Sequence, residues 1–273
     1  MKITIKDIQA YKNSNSPFAA ITAYDYLSAM KADKAKIPFV LVGDSAAMVV
    51  YGMATTIPIT MEEMLLLVKA VSRSNNNSLI VADMPFMSYQ SSVEDAVRNA
   101  GRFIKESGAG AVKLEGGSCY KKQIEAIINA GIPVVGHIGL LPQSYHLSSG
   151  YRSQGKTKLE ANKIIDDAFA IEQSGVFSVV LEGLPSELAK KITEKLRIPT
   201  IGIGAGPFCD GQIQVFHDIM GLNDGKIPKH SKSYGNLGEQ VEKILFKYKD
   251  DVEKNKFPDK LNFIESVNIN IKD

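Results

Sequence analysis

The segment AVKLEGGSCYKKQIEAIINAGIPVVGHIG, residues 111–139, contains one complete strand–helix–strand unit. Its two apolar runs, Ala111–Leu114 and Pro133–Ile138, are short and continuous, as in strands that are buried on both faces of a parallel sheet. Between them the pattern predicts a helix near Tyr120–Ala130. The link Gly-Ile-Pro that follows contains two typical helix-stop residues. The segment therefore predicts an α/β fold built on parallel strands.

The same alternation continues on both sides of this segment. Six further apolar runs predict strands: Phe18–Ala23, Phe39–Gly43, Leu79–Ala82, Ser178–Leu181, Pro199–Ile203 and the weaker Gln212–Phe216. Helices fit between the runs, and two of them begin with the capping-box pattern, at Thr60–Glu63 and Thr157–Glu160. Ser92 predicts the cap of a third helix.

Eight strands that alternate with helices admit two architectures, a closed barrel and an open doubly wound sheet. The chain of 273 residues has the length of one (β/α)8 barrel. In addition, no G-x-G-x-x-G motif opens a helix after the first strand. We therefore expect a single TIM-type barrel domain over residues 1–273, with a C-terminal helix and a loose tail from about residue 247.

Composition excludes several classes of protein. Lys and Arg total 32 and Asp and Glu total 30, and this near-balance argues against binding to nucleic acid or to an anionic membrane. The apolar runs are shorter than the roughly 20 residues that span a bilayer, and the N-terminus has no secretory h-region. Cys119 and Cys209 are too few and too distant for a disulfide framework or a zinc knuckle. We expect a cytoplasmic protein with reduced thiols.

Polar residues follow the predicted strands at their carboxyl ends, where barrels carry their catalytic groups. They are five carboxylates, one amine and one imidazole: Asp25, Asp44, Asp83, Glu115, Glu182, Lys113 and His137. Converging carboxylates repel one another unless a cation or a proton lies among them. Oxygen ligands without clustered Cys or His suit a hard cation, so Mg²⁺ is the expected metal.

Each of these residues also has a purely structural interpretation. Asp25 could equally cap the next helix, and Glu182 could be a solvated loop carboxylate. Lys113 and Glu115 are two apart and so share one face of a strand, where they could form a structural ion pair. His137 could be a hydrogen-bonded core residue.

The residues at the strand ends lie within ten short sequence motifs. The motifs are ITAYDY (21–26), LVGDS (41–45), ADMPFMSY (82–89), VKLEGG (112–117), GHIGLLPQS (136–144), GYRSQG (150–155), LEGLPSELAKKIT (181–193), IGIGAG (201–206), DGQIQVFHDIMG (210–221) and IPK (227–229). In combination they closely resemble the ketopantoate hydroxymethyltransferase family, and the resemblance extends in register from about Ile3 to Lys249. The chain departs from the family at Ala46-Ala47, where many members have Leu or Val followed by Gly.

The resemblance implies a (β/α)8 barrel of the phosphoenolpyruvate/pyruvate-superfamily type. It also implies a magnesium-dependent transferase of the pantothenate and coenzyme A pathway, with 5,10-methylenetetrahydrofolate as co-substrate. The acceptor would be 3-methyl-2-oxobutanoate, the product 2-dehydropantoate and the assembly a homodecamer.

The resemblance also assigns roles by position in this sequence. It places Mg²⁺ at Asp44, Asp83 and Glu115, and the keto acid at Asp44, Ser45, Asp83 and Lys113. Glu182 falls on the family's proton acceptor, and His137 is a candidate for positioning the substrate or the folate.

Two other functions stay open on the residues alone. One is a magnesium-dependent C–C lyase or phosphoenolpyruvate mutase-like barrel, in which Gly-Asp-Ser after the second strand also occurs. Those enzymes generally carry a reactive cysteine loop, and neither Cys119 nor Cys209 lies in such a motif. The other is a catalytically silent barrel that acts as a binding protein, against which the retained set of acidic residues and Lys113 argues.

Overall fold

The computed structural model of the chain describes residues 2–14, 16–74, 77–223 and 228–264. Within these ranges the eight predicted strands are present, with ends that differ from the predicted ones by one or two residues. They are β1 Phe18–Thr22, β2 Phe39–Val42, β3 Leu79–Asp83, β4 Ala111–Lys113, β5 Val134–Gly139, β6 Ser178–Glu182, β7 Thr200–Ile203 and β8 Gly211–Gln214.

The strands form a closed parallel barrel in sequence order, and β1 pairs with β8 to complete it. The predicted (β/α)8 architecture is therefore confirmed, and the open sheet is not. The helices are α1 Ile5–Ala10, α2 Tyr26–Lys34, α3 Ala46–Val49, α4 Met61–Ser74, α5 Val93–Arg102, α6 Lys121–Asn129, α7 Lys158–Gln173, α8 Ser186–Lys195, α9 Phe216–Met220 and α10 Leu237–Glu253.

The predicted helix starts are confirmed by their hydrogen bonds. Thr60 and Glu63 exchange the reciprocal bonds of a capping box before α4, and Thr157 and Glu160 do so before α7. The Ser92 hydroxyl accepts from the backbone N–H of Asp95 at the start of α5. Local sequence thus sets where these helices begin.

The barrel interior is filled by alternate residues of each strand, as the period of two requires. Phe39 and Leu41 of β2 belong to one buried cluster with Leu79 and Val81 of β3. Ile8 of α1 joins the same cluster and is fully buried. The cluster also contains the first residues of several strands, so α1 closes the amino end of the barrel.

The described chain divides into two compact units. Among the described residues, the barrel unit comprises 2–14, 16–74, 77–216 and 228–231, and the smaller unit comprises 217–223 and 232–264. The single-domain organisation therefore stays a prediction. The C-terminal helix that we expected from about residue 247 is α10, which already begins at Leu237, and residues 265–273 of the predicted tail lie outside the described residues. None of the described helices is both long enough and apolar enough to cross a membrane.

Candidate active site

The interior positions of the strands change from apolar to polar at the carboxyl end of the barrel. In β3 the inward series Leu79 and Val81 continues to Asp83, and in β4 Ala111 continues to Lys113. In the same way Val135 of β5 is followed two residues later by His137 and Val180 of β6 by Glu182: both lie at this end. The period that builds the core therefore also aims these polar side chains at one place.

Asp83 and Lys113 form the centre of the site. They are register partners in the β3–β4 pair, and Lys113 Nζ lies 2.8 Å from Asp83 Oδ1 with both side chains buried. Burial alone lowers the pKa of Lys113, but the charges of Asp83, Glu115 and Asp44 outweigh it and raise that pKa above its ordinary value. The amine is therefore a fixed ammonium.

His137 connects this ammonium to Glu182. Its Nδ1 lies 3.2 Å from Lys113 Nζ, and its Nε2 lies 3.2 Å from Glu182 Oε2. Burial and the nearby Lys113 charge lower the pKa of His137, so the ring is neutral at pH 7. Because the ammonium can only donate, Nδ1 must accept, and the ring proton is on Nε2. That nitrogen is close to Glu182 Oε2, but the alignment of the N–H is too poor for a hydrogen bond.

Asp44 and Glu115 complete a buried acidic group. The backbone N–H of Asp44 donates to Asp83 Oδ2 over 3.1 Å, which fixes the loop after β2 against the end of β3. Burial and the charge of Asp83 raise the pKa of Asp44 to about 8. Burial raises the pKa of Glu115 well above its usual range, against the opposing effect of Lys113. Both carboxyls are short of positive charge.

A site for a metal cation requires such an excess of carboxyl groups over positive charges. If ionised, the carboxylates of Asp44, Asp83 and Glu115 carry three negative charges against the one positive charge of Lys113, so a divalent cation would balance the group. Within the described residues Glu115 Oε1 is buried and accepts no hydrogen bond. No three acidic, imidazole or thiol groups in that part of the chain are already arranged to hold a metal ion. The donor chemistry, all carboxylate oxygen, fits a hard cation such as Mg²⁺.

Ser45 lies beside this group, and Asp25 does not belong to it. Ser45 immediately precedes α3, and its hydroxyl lies 2.8 Å from the hydroxyl of Tyr24. Asp25 instead caps α2, where its carboxylate accepts from two backbone N–H groups, so its structural interpretation is the correct one. Ala46 and Ala47 are fully buried and begin α3.

Two buried residues of the site, Gln143 and Tyr89, were not among the predicted ones. The Gln143 side chain donates to Asp44 Oδ2 over 3.0 Å, and its backbone N–H donates to Glu115 Oε2 over 3.0 Å. The Tyr89 hydroxyl lies 2.9 Å from Gln143 Oε1 and accepts from the backbone N–H of Glu115. Both residues lie in loops after a strand, where the alternation of a strand does not predict which way a side chain points. Each nevertheless belongs to one of the sequence motifs that resemble the family.

A family model described as ketopantoate hydroxymethyltransferase matches residues 2–260. The chain belongs to the ketopantoate hydroxymethyltransferase family. A protein of Moorella thermoacetica named 3-methyl-2-oxobutanoate hydroxymethyltransferase is 52% identical over 258 residues, covering 94% of this chain and 96% of its own length. A protein of the same name from Nitrosopumilus maritimus is 51% identical over 263 residues, covering 96% and 94%.

Solved structures share the fold of this family member. Phosphonopyruvate hydrolase superposes with a TM-score of 0.63 at 12% identity and covers 98% of this chain and 92% of its own. 2,3-Dimethylmalate lyase, a member of the PEP mutase/isocitrate lyase superfamily, gives a TM-score of 0.58 at 17% identity and covers 94% and 89%. At these identities the likeness concerns the barrel alone.

Replacing Lys113 by Met should destabilise the metal-free protein strongly, by about 3–5 kcal/mol, because it leaves the Asp83 carboxylate buried without its partner. Lys121→Met is the matched control, since its ion pair with Glu125 is exposed and is worth about 0–1 kcal/mol. Urea unfolding after treatment with EDTA measures both. Equal stability of the two variants would contradict the assignment of Lys113 as the counter-ion of a buried acidic group.

Proposed function

We propose that this protein transfers the one-carbon unit of 5,10-methylenetetrahydrofolate to 3-methyl-2-oxobutanoate, giving 2-dehydropantoate. Family membership supports the proposal, as do relatives of that name at 51% and 52% identity. In the structure it rests on one observation, the line of contacts from Asp83 through Lys113 and His137 to Glu182. That line joins a fixed buried ammonium to a carboxylate whose side chain is 17% exposed.

The proposed reaction breaks one C–H bond of the keto acid, the two C–N bonds of the folate methylene carbon and one O–H bond of water. It forms one C–C bond, one C–O bond and the two N–H bonds of tetrahydrofolate. Carbon 3 of the keto acid gives up its proton and bonds to the methylene carbon of the folate. Water supplies the hydroxyl of the new hydroxymethyl group, and tetrahydrofolate leaves. The chain must therefore accept one proton and stabilise the negative charge that develops on the keto oxygen.

Glu182 is the proposed proton acceptor. It lies at the end of β6 and is less buried than the other acidic residues of the site, so a substrate in the barrel mouth can reach it. The protonated Nε2 of His137 lies 3.2 Å from Glu182 Oε2, so a small rotation of either side chain would form the hydrogen bond that orients the carboxylate. This gives His137 a positioning role.

Lys113, together with Asp44, Ser45 and Asp83, is the proposed contact surface for the keto acid. The Lys113 ammonium is held rigidly by Asp83 and His137, so its charge is already oriented before the substrate arrives. Asp44, Asp83 and Glu115 would hold Mg²⁺. When bound, Mg²⁺ would withdraw electron density from the carbonyl of the keto acid and make its C3 proton more acidic.

We extend the proposal to a cytoplasmic homodecamer, following the family resemblance. Large apolar side chains on α10 support association between subunits, because Ile244, Leu245 and Phe246 are all exposed in the single chain. Sedimentation velocity distinguishes a decamer from a monomer, because a decamer has about ten times the 29.7 kDa mass of the chain. A monomer would contradict this part of the proposal.

One assay separates the proposed activity from a lyase and from an inactive barrel. The purified protein should form 2-dehydropantoate from 3-methyl-2-oxobutanoate and methylenetetrahydrofolate, and EDTA should abolish this activity until Mg²⁺ is added in excess. Product detection by mass spectrometry measures both effects. Absence of product with Mg²⁺ present would contradict the transferase, and full activity in EDTA would contradict the metal requirement.

Glu182→Gln should slow the exchange of the C3 proton of 3-methyl-2-oxobutanoate for deuterium by about 10²–10⁴-fold, because the amide cannot accept the proton. Glu187→Gln is the matched control, since Glu187 is exposed on the neighbouring helix α8. Proton NMR in D₂O follows the exchange directly. Unchanged exchange in Glu182→Gln would remove this residue from the role of base.

A further inference from the structure

Gln143 makes several buried hydrogen bonds that have no part in the reaction proposed above. It follows β5 in a short 3₁₀ turn, Pro142–Ser144, and is only 5% exposed. We propose that Gln143 is a positioning residue for the cation site: it holds one oxygen of Asp44 and one of Glu115, and so directs the remaining oxygens of both carboxylates to a divalent cation. This inference rests on the proposed function.

All three N–H donors of Gln143 are engaged. The side-chain Nε2 donates to Asp44 Oδ2 over 3.0 Å and to the carbonyl oxygen of Met84 over 2.9 Å. The backbone N–H donates to Glu115 Oε2 over 3.0 Å. One residue from the loop after β5 thus connects the loops that follow β2, β3 and β4.

The orientation of the amide is fixed from its other side. Gln143 Oε1 lies 2.9 Å from the Tyr89 hydroxyl and accepts from Gln90 Nε2 over 3.0 Å. Turning the amide by 180° would set its carbonyl oxygen against two acceptors, the Asp44 carboxylate and the Met84 carbonyl, at a buried position. The NH₂ group therefore has to face Asp44.

The oxygen that Gln143 leaves free on Glu115 points to a ligand. Among the described residues Glu115 Oε1 is buried and accepts no hydrogen bond. Its nearest ring nitrogen, His137 Nδ1, is 3.7 Å away and carries no proton, because it faces the Lys113 ammonium. A buried carboxylate oxygen without a donor is costly, and a cation would satisfy it.

The neutral amide also suits the charge balance of the site. The side-chain amide donates to Asp44 and the backbone N–H donates to Glu115, and neither adds a positive charge. When both carboxyls are ionised, their negative charge therefore remains for a divalent cation. A Lys or Arg at this position would cancel part of the charge that attracts the metal. Partners that orient metal ligands in this way commonly contribute 10–100-fold to metal affinity or activity.

The test is direct binding of Mn²⁺ to the full-length, metal-stripped protein, followed by the EPR signal of free Mn²⁺ without any substrate. Gln143→Met has nearly the same volume and removes the donor to Asp44, and we expect it to weaken Mn²⁺ binding by about 10–100-fold. Gln90→Met is the matched control: it removes a bond to Gln143 Oε1 but no donor to either carboxylate, and should stay within about threefold of wild type. Circular dichroism and thermal unfolding of the metal-free variants establish that each is folded.

The possible outcomes separate this inference from the proposed function. Wild-type affinity in folded Gln143→Met overturns the positioning role and leaves the proposed metal site intact. Equal weakening in Gln143→Met and Gln90→Met overturns it as well, since the network would then act only as a scaffold. If wild type binds no Mn²⁺, both the inference and the proposed metal requirement fail. If Gln143→Met does not fold, Gln143→Asn takes its place, because its amide is one methylene too short to reach both Asp44 and the Met84 carbonyl. This variant must then weaken Mn²⁺ binding by the same roughly 10–100-fold, and wild-type affinity would overturn the inference.

Discussion

The balance of charge inside the barrel mouth constrains the rest of this site. Three carboxylates, Asp44, Asp83 and Glu115, are buried with the single ammonium of Lys113. Ions removed from water are stable only when they are paired and hydrogen-bonded, so each neighbouring residue has a definite task. Lys113 pairs with Asp83, His137 stays neutral between Lys113 and Glu182, and Gln143 donates to the other two carboxylates. When all three carboxyls are ionised, their charge and that of Lys113 leave two negative charges, which a divalent cation would balance.

The barrel delivers these groups through the geometry that builds its core. Each strand alternates inward and outward, so the residue two positions beyond the last core residue also points inward. Val81 leads to Asp83, Ala111 leads to Lys113, and Val135 leads to His137. Closure of the sheet then places side chains from different strands within hydrogen-bond distance. The same backbone thus builds the apolar core at one end and positions the candidate site at the other, the end at which barrels of this type carry their catalytic groups.

Much of this arrangement could be predicted from the sequence, because strand period and helix caps are local properties. The apolar runs predicted the eight strands, and the polar residues after them predicted which side chains meet at the carboxyl end of the barrel. The tasks of Gln143 and Tyr89 could not be predicted, since both lie in loops, whose side-chain directions follow from tertiary contacts. Asp25 was ambiguous in the sequence for another reason, because its position after a strand suits either a helix cap or a catalytic group. The hydrogen bonds that its carboxylate accepts from the backbone N–H groups of Leu27 and Ser28 show that it is a cap.

A divalent cation held by Asp44, Asp83 and Glu115 would be seen most directly in a crystal structure of the protein soaked with Mn²⁺. We expect one strong anomalous peak within coordination distance of oxygens from all three carboxylates, with Glu115 Oε1 among its ligands. Mn²⁺ bound only at another place, or no anomalous peak near well-ordered carboxylates at saturating Mn²⁺, would contradict this metal site.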